Sequence, residues 1–270
     1  FGSMDALMKI EIPFTATSNA TSMNSMFGGT NYLNSYPNMD ASNVTNIVNM
    51  FSGYGNPDPA FTGTVPHYDF SEVTNAGNLF RDNKFVSSLP AFNLSKTTSL
   101  DNSFRGCTNL TSFPAITLTS LCTNFNSSWA YSGITTFPYI ETSGGTYFAF
   151  TWLSSSGSSK LTTFPALDFS SATTFYMAWG NQIGLANFEP NMFDTTGTLN
   201  SNAFQNAFLN CALTAQSIEN ILESLDANTA TGITLHINGG TNAAKTTWST
   251  AANTAYTNLV NKSWSISYNS

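Results

Sequence analysis

Residues Leu110 to Ile116 read LTSFPAI, and this short run decides the fold because it recurs along the chain. A proline stands at Pro13, Pro37, Pro66, Pro90, Pro114, Pro138, Pro165 and Pro190, with successive spacings of 24, 29, 24, 24, 24, 27 and 25 residues. Other columns keep register with it. The residue before the proline is apolar in Ile12, Tyr36, Val65, Leu89, Phe113, Phe137 and Phe164. Two after it come Met39, Tyr68, Phe92, Ile116, Ile140 and Leu167, and five after it Ser18, Ser42, Ser71, Ser95, Thr119, Ser143 and Ser170. Fourteen after it stand Phe27, Phe51, Phe80, Phe104, Trp152 and Trp179, with Trp129 displaced by one.

A period near 24 residues falls in the range of leucine-rich repeats. A single unit of that size cannot bury its apolar face, so the copies must stack and bury one continuous ladder of side chains. In LTSFPAI, Leu110 and Phe113 should point inward while Thr111 and Ser112 face solvent. Pro114 ends that short strand because proline donates no ladder hydrogen bond. The expected fold is an α/β repeat solenoid, leucine-rich-repeat-like, over residues 1–212, with a parallel strand just before each proline. Trp129, Trp152 and Trp179 share a column with phenylalanines, so they are expected in the core. Asp40, Asp69 and Asp168, with Asn93, Thr117 and Glu141, follow the proline by three and are expected to accept backbone amides in turns.

Residues 213–270 break the pattern and form a C-terminal capping unit continuous with the repeats. TAQSIENILESLD at 214–226 places Ile218, Ile221, Leu222 and Leu225 on one helical face, with Thr214 as N-cap. ITLHI at 233–237 and WSISY at 264–268 alternate as strands, and an Ala-rich helix is expected over about 242–260. Strand, helix, strand implies a parallel pair with a crossover. At the other end, FGSMDAL resembles the aromatic-plus-loop segment of a repeat and contains no basic-then-apolar leader. Further repeats or an assembly partner are therefore expected before Phe1.

Only 9% of residues are charged and 14% are aromatic, against about 25% charged in an ordinary domain. This composition suits a secreted, cell-surface or virion protein. Net charge is −7 and the eight Lys and Arg are scattered, so nucleic-acid binding has no electrostatic basis. No apolar run reaches the length of a membrane span. Cys107, Cys122 and Cys211 form no CxxC pair and are expected as small buried residues. His67 and His236 have no motif partner. No GxSxG, HExxH, P-loop or dinucleotide fingerprint occurs, so no enzyme, cofactor or metal is expected. Carboxylates of different repeats could still meet in space as a glycosidase pair, which spacing alone does not decide.

The copies SMFGGTNYLNSYPNMDASNVTN and NSFRGCTNLTSFPAITLTS resemble the BspA-like leucine-rich repeats of bacterial surface proteins. The ending NAFLNCALTAQSIENILESLDAN, followed by ITLHINGGTNAAKTTWSTAANTAYTNLVNKSWSIS, resembles that of such proteins encoded by bacteriophages, as tail-fibre or other virion surface components. The resemblance implies non-enzymatic adhesion: a virion surface protein that recognises a host-surface glycan or protein. Two alternatives stay open, a bacterial cell-surface adhesin and an architectural protein that binds other virion proteins. The residues themselves nominate a binding face, the paired polar positions just before the prolines. These are Asn34 and Ser35, Ser87 and Ser88, Thr111 and Ser112, Thr135 and Thr136, and Thr162 and Thr163, outward on successive strands roughly 4.8 Å apart.

Overall fold

The computed structural model describes residues 10–30, 33, 35–53, 65–155 and 161–270. Over most of this length the chain winds in coils, each bridged laterally to the coil one repeat further on. The longest parallel ladder links Ser22, Asn46, Asn75, Ser99, Asn124, Tyr147 and Thr174, each to the next. These residues lie nine or ten after the repeat proline, where the sequence pattern gave no strand. A second ladder, Ser112, Thr136, Thr163 and Asn187, lies just before the proline. It includes the two-residue strands β1 (Thr163–Phe164) and β2 (Asn187–Phe188). Among the described residues, this pre-proline pairing covers only the copies from Pro114 to Pro190, fewer than the expected strand in every copy. Each of these pairings is only one or two residues long, because proline removes a donor and truncates the strand behind it, whereas the segment from Thr21 to Gly29 and its counterparts contain no proline in any copy.

Within the long ladder, successive N–H groups alternate between two uses. The Phe51 N–H donates to the Leu79 carbonyl of the next coil at 2.8 Å, while the Ser52 N–H turns back to the Asn49 carbonyl at 3.2 Å. Phe80, Phe104, Trp129, Trp152 and Trp179 and the residues after them repeat this alternation. Such a ribbon of linked turns places left-handed backbone at one fixed position in every coil, and several coils repeat it four residues later, at Gly29, Asp82, Gly106, Tyr131, Asn181 and Asn210. Ser25, Asn49, Asn78, Asn102, Ser127, Phe150, Met177 and Asn206 occupy the fixed position, with φ between 53° and 59°. Asn tolerates this region because its short amide bonds locally, and half of the column is Asn.

Aromatic stacks fill the coils, among them Phe125, Phe148, Phe175 and Phe204 and two further columns. Phe27, Phe51, Phe80, Phe104, Trp129, Trp152, Trp179 and Phe208 form one, with neighbouring rings 4.9–6.0 Å apart and within 18° of parallel. Phe113, Phe137, Phe164 and Phe188 form the other, at 5.6–6.0 Å. These two columns meet edge to face: Phe137 and Trp152 are inclined by 83°, and Phe164 and Trp179 by 84°. This arrangement sets the positive edge of one ring against the negative face of another. The column residues Trp129, Trp152 and Trp179 are all buried.

The carbonyl of a column aromatic is capped by a buried side chain from the following coil. Asn83 Nδ2 donates to Phe51 O at 2.8 Å, Cys107 Sγ to Phe80 O at 3.1 Å, Cys211 Sγ to Trp179 O at 3.2 Å and Asn242 Nδ2 to Phe208 O at 2.9 Å. Gln182 Nε2 does the same for Trp152 O. Cys107 and Cys211 are therefore weak donors in a column shared with amides, more than apolar filler. All three cysteines are free thiols. Burial holds Cys122 and Cys211 up at about 12 and raises Cys107 further.

After the repeats, helix α1 (Ala215–Ala227) begins at Thr214, whose side chain accepts from the Ser217 N–H. Strand β3 (Thr234–Ile237) is bridged in parallel to the preceding coil through Leu235 and Phe204, and pairs in parallel with β4 (Ser265–Tyr268). The expected single helix over 242–260 is instead a 3-10 turn, Lys245–Thr247, followed by α2 (Thr250–Asn261). Ser249 supplies the reason: its hydroxyl accepts from the Ala252 N–H and caps a new helix start. Lys262 joins α2 to α1, its ammonium 2.9 Å from Asp226 Oδ1.

Candidate binding face

The pre-proline segments turn two consecutive residues outward because the residues on either side point in. Leu110 and Phe113 are buried around exposed Thr111 and Ser112, Ile134 and Phe137 around Thr135 and Thr136, and Leu161 and Phe164 around Thr162 and Thr163. Backbone bonds hold these pairs side by side. The Thr135 N–H donates to Thr111 O at 3.1 Å, the Thr162 N–H to Thr135 O at 3.2 Å, and the Ala186 N–H to Thr162 O at 3.2 Å. Asn187 extends the row by one rung. The structure thus brings six of the nominated residues into one patch. Ser35, Ser87 and Ser88 are exposed but lie outside that ladder, and Asn34 lies outside the described residues.

The hydroxyls of this patch differ in availability. Thr135 Oγ1 donates to Thr111 O at 3.2 Å. Those of Ser112, Thr136, Thr162 and Thr163 have no intramolecular partner among the described residues, so they are open to solvent or a ligand. None of the patch residues is charged. Tyr139, three residues beyond Thr136, is 62% exposed and adds an aromatic surface to the same segment.

A second row of threonines escaped the sequence reading, although its signal is the most regular in the chain. Thr21, Thr45, Thr74, Thr98, Thr123, Thr146 and Thr173 stand eight or nine after the proline in seven successive copies. Each carbonyl accepts the next threonine's N–H, as from Thr45 to Thr21 at 2.9 Å. It also accepts that threonine's hydroxyl, at 2.9–3.5 Å along the row. This row spends its donors internally and presents methyl groups and lone pairs. It ties the coils together.

Acidic residues are employed in turns. Asp40, Asp69, Glu141 and Asp168 each accept the N–H of the residue two further on at 2.8–3.0 Å, and Asn93 does so at 3.1 Å. The Ser42 hydroxyl and N–H hold the Asp40 carboxyl below its ordinary range. His67 is exposed. His236 Nδ1 lies 2.6 Å from Asn206 Oδ1, and its partial burial lowers its pKa. Among the described residues no cluster of His, Cys, Asp or Glu could hold a metal ion, and no helix is long and apolar enough to cross a membrane.

No curated protein and no solved structure matches this chain. Residues 1–115 match the family model described as "Mycoplasma protein of unknown function, DUF285". Over that stretch the chain is similar to a BspA-like family of surface proteins.

Proposed function

We propose that the chain is a non-enzymatic adhesion protein, a leucine-rich-repeat-like solenoid that recognises an extended surface partner along its pre-proline face. One observation carries this reading: the uncharged ladder of Ser112, Thr136 and Thr163, whose exposed hydroxyls have no internal partner among the described residues. Such a row suits a polysaccharide or an extended peptide, because many weak hydrogen bonds add along a repeating ligand. The likeness of the stretch from Asn206 onward to the endings of phage-encoded proteins supports a virion surface or tail-fibre component that binds a host glycan or protein. The match of residues 1–115 to a family of surface proteins supports the second reading, a bacterial cell-surface adhesin.

The test compares two variants on a glycan array and in adsorption to candidate host cells. Ser112→Glu, Thr136→Lys and Thr163→Glu together put opposite charges on neighbouring rungs, which keeps the ladder compatible and blocks a flat polar contact. Thr45→Val and Thr98→Val together alter the internally bonded row. Loss of binding in the first variant and retention in the second supports the assignment. Full binding by a folded first variant refutes it.

A further inference from the structure

Lys245 opens the 3-10 turn Lys245–Thr247, and its ammonium is surrounded by rings from separate elements. Nζ lies 3.4 Å from the centre of the Tyr256 ring, 4.7 Å from that of Tyr268 and 5.8 Å from that of Trp248. The three ring centres are 5.5–6.0 Å apart, and each pair is inclined by 61–89°. They form the walls of a cage and do not stack on one another.

Each wall is held independently of the lysine side chain. Trp248 is buried, and its indole N–H donates to Ala243 O at 3.3 Å. Tyr268 is in β4, paired in register with Ile237. Tyr256 rides on α2. Among the described residues no carboxylate lies within ion-pair distance of Lys245, so the ring faces supply the attraction its ammonium feels. The Lys245 main chain is anchored by its N–H to Asn269 O at 2.8 Å. Its side chain can therefore swing out while the turn stays folded.

We propose that Trp248, Tyr256 and Tyr268 form a binding site for a quaternary ammonium group, with Lys245 as an internal occupant that gives way to it. A primary ammonium is strongly hydrated, so Lys245 gives up favourable water contacts to sit among the rings. A trimethylammonium group carries the same charge with methyl groups that pack on aromatic faces, the chemistry for which aromatic cages are suited. The site lies in the C-terminal unit and is independent of the hydroxyl row proposed above.

The experiment uses the full chain and tetramethylammonium chloride as probe, following the Trp248 indole N–H resonance by NMR. Sodium chloride serves as the ionic control and tert-butanol as the neutral isostere. Lys245→Ala is expected to give a saturable shift with affinity about tenfold above that of the wild type, a difference of ~1.4 kcal/mol. Adding Tyr256→Ala should abolish it. Phosphocholine and Nε-trimethyllysine then distinguish a lipid or glycopolymer headgroup from a methylated protein, and binding of either supports the site. A folded Lys245→Ala variant without a saturable response overturns the proposal, as does an equal response to tert-butanol. Should Lys245→Ala fail to fold, Lys245→Gln is titrated under the same criteria, and the wild type must itself show a weak saturable shift.

Discussion

Trp152 and Trp179 stack with ring centres 5.2 Å apart and planes 9° from parallel, and the indole N–H of each is buried without a hydrogen-bond partner among the described residues. The column therefore demands a flat apolar ring and gains nothing from the indole nitrogen. Trp129, the third tryptophan of the column, has the same unpartnered indole N–H, and the remaining members, Phe27, Phe51, Phe80, Phe104 and Phe208, are phenylalanines.

Truncation and conservative replacement should consequently separate. Trp152→Ala should cost ~3–5 kcal/mol by opening a cavity between two stacked rings. Trp152→Phe should cost well under half of that, since removing an unpaired buried donor offsets part of the lost volume. Urea denaturation checks this, and equal losses for both variants would show that the indole makes a contact the ring alone does not.

The left-handed column predicts opposite signs for two substitutions. Asn102 has φ 54° and Met177 has φ 55°. Asn102→Val should lose ~1–2 kcal/mol, because a β-branched side chain crowds the backbone there. Met177→Asn should raise stability, by roughly 0.5–1 kcal/mol on the scale typical of backbone-compatible replacements. Thermal melts of the two single variants suffice, and a stabilising Asn102→Val would contradict the assigned backbone.

Asp40 predicts a pH-dependent difference. Its carboxyl is held below the ordinary range by the Ser42 hydroxyl and N–H, so the folded state binds its proton less tightly than the unfolded chain. The resulting stability is fully present above the unfolded carboxylate pKa, about 3.9, and is lost as pH falls through the lower folded value. Asp40→Asn retains an acceptor for the Ser42 N–H, as Asn93 does for Ser95. Wild type should thus exceed Asp40→Asn in stability near neutrality, and the gap should close in acid. A gap that widens below pH 4 would reverse the sign.

Thiol chemistry offers a measure of how firmly the coils are closed. The Cys211 thiol is buried and pushed up to about 12, and only the thiolate reacts rapidly with alkylating agents. Iodoacetamide at pH 8 should leave Cys107, Cys122 and Cys211 unmodified in the native protein and label all three in denaturant. Rapid native labelling of any of them, read by mass spectrometry, would mean that its coil opens readily.

Much of the architecture is legible in the residues because it is local or strictly periodic. The proline register and the aromatic column at Phe27 to Trp179 mark the inward positions, since a repeat must present the same face to each neighbour. The Asp and Asn acceptors after the proline act within two residues, and Thr214 caps α1 within three, so both could be read without the fold. The break at Ser249 was missed because an Ala- and Thr-rich run continues through it. The threonine row from Thr21 to Thr173 was equally visible, but its meaning was not, since an exposed threonine in a repeat suggests only a soluble surface.

The sequence by itself determined the period, the buried columns and the paired polar residues before five of the eight repeat prolines. Only the tertiary structure decided which backbone segments hydrogen-bond between coils and which hydroxyls remain free. It also brought Asn83, Cys107, Gln182, Cys211 and Asn242 to one role, and gathered Trp248, Tyr256 and Tyr268 around Lys245. The physical reason is the range of the interactions. Periodicity and caps act within a few residues along the chain. The bond from Thr135 to Thr111, and that from Cys107 to Phe80, join residues 24 and 27 apart. Which atoms meet at that separation depends on the lateral offset of one coil on the next, and that offset is set by how the aromatic stacks pack.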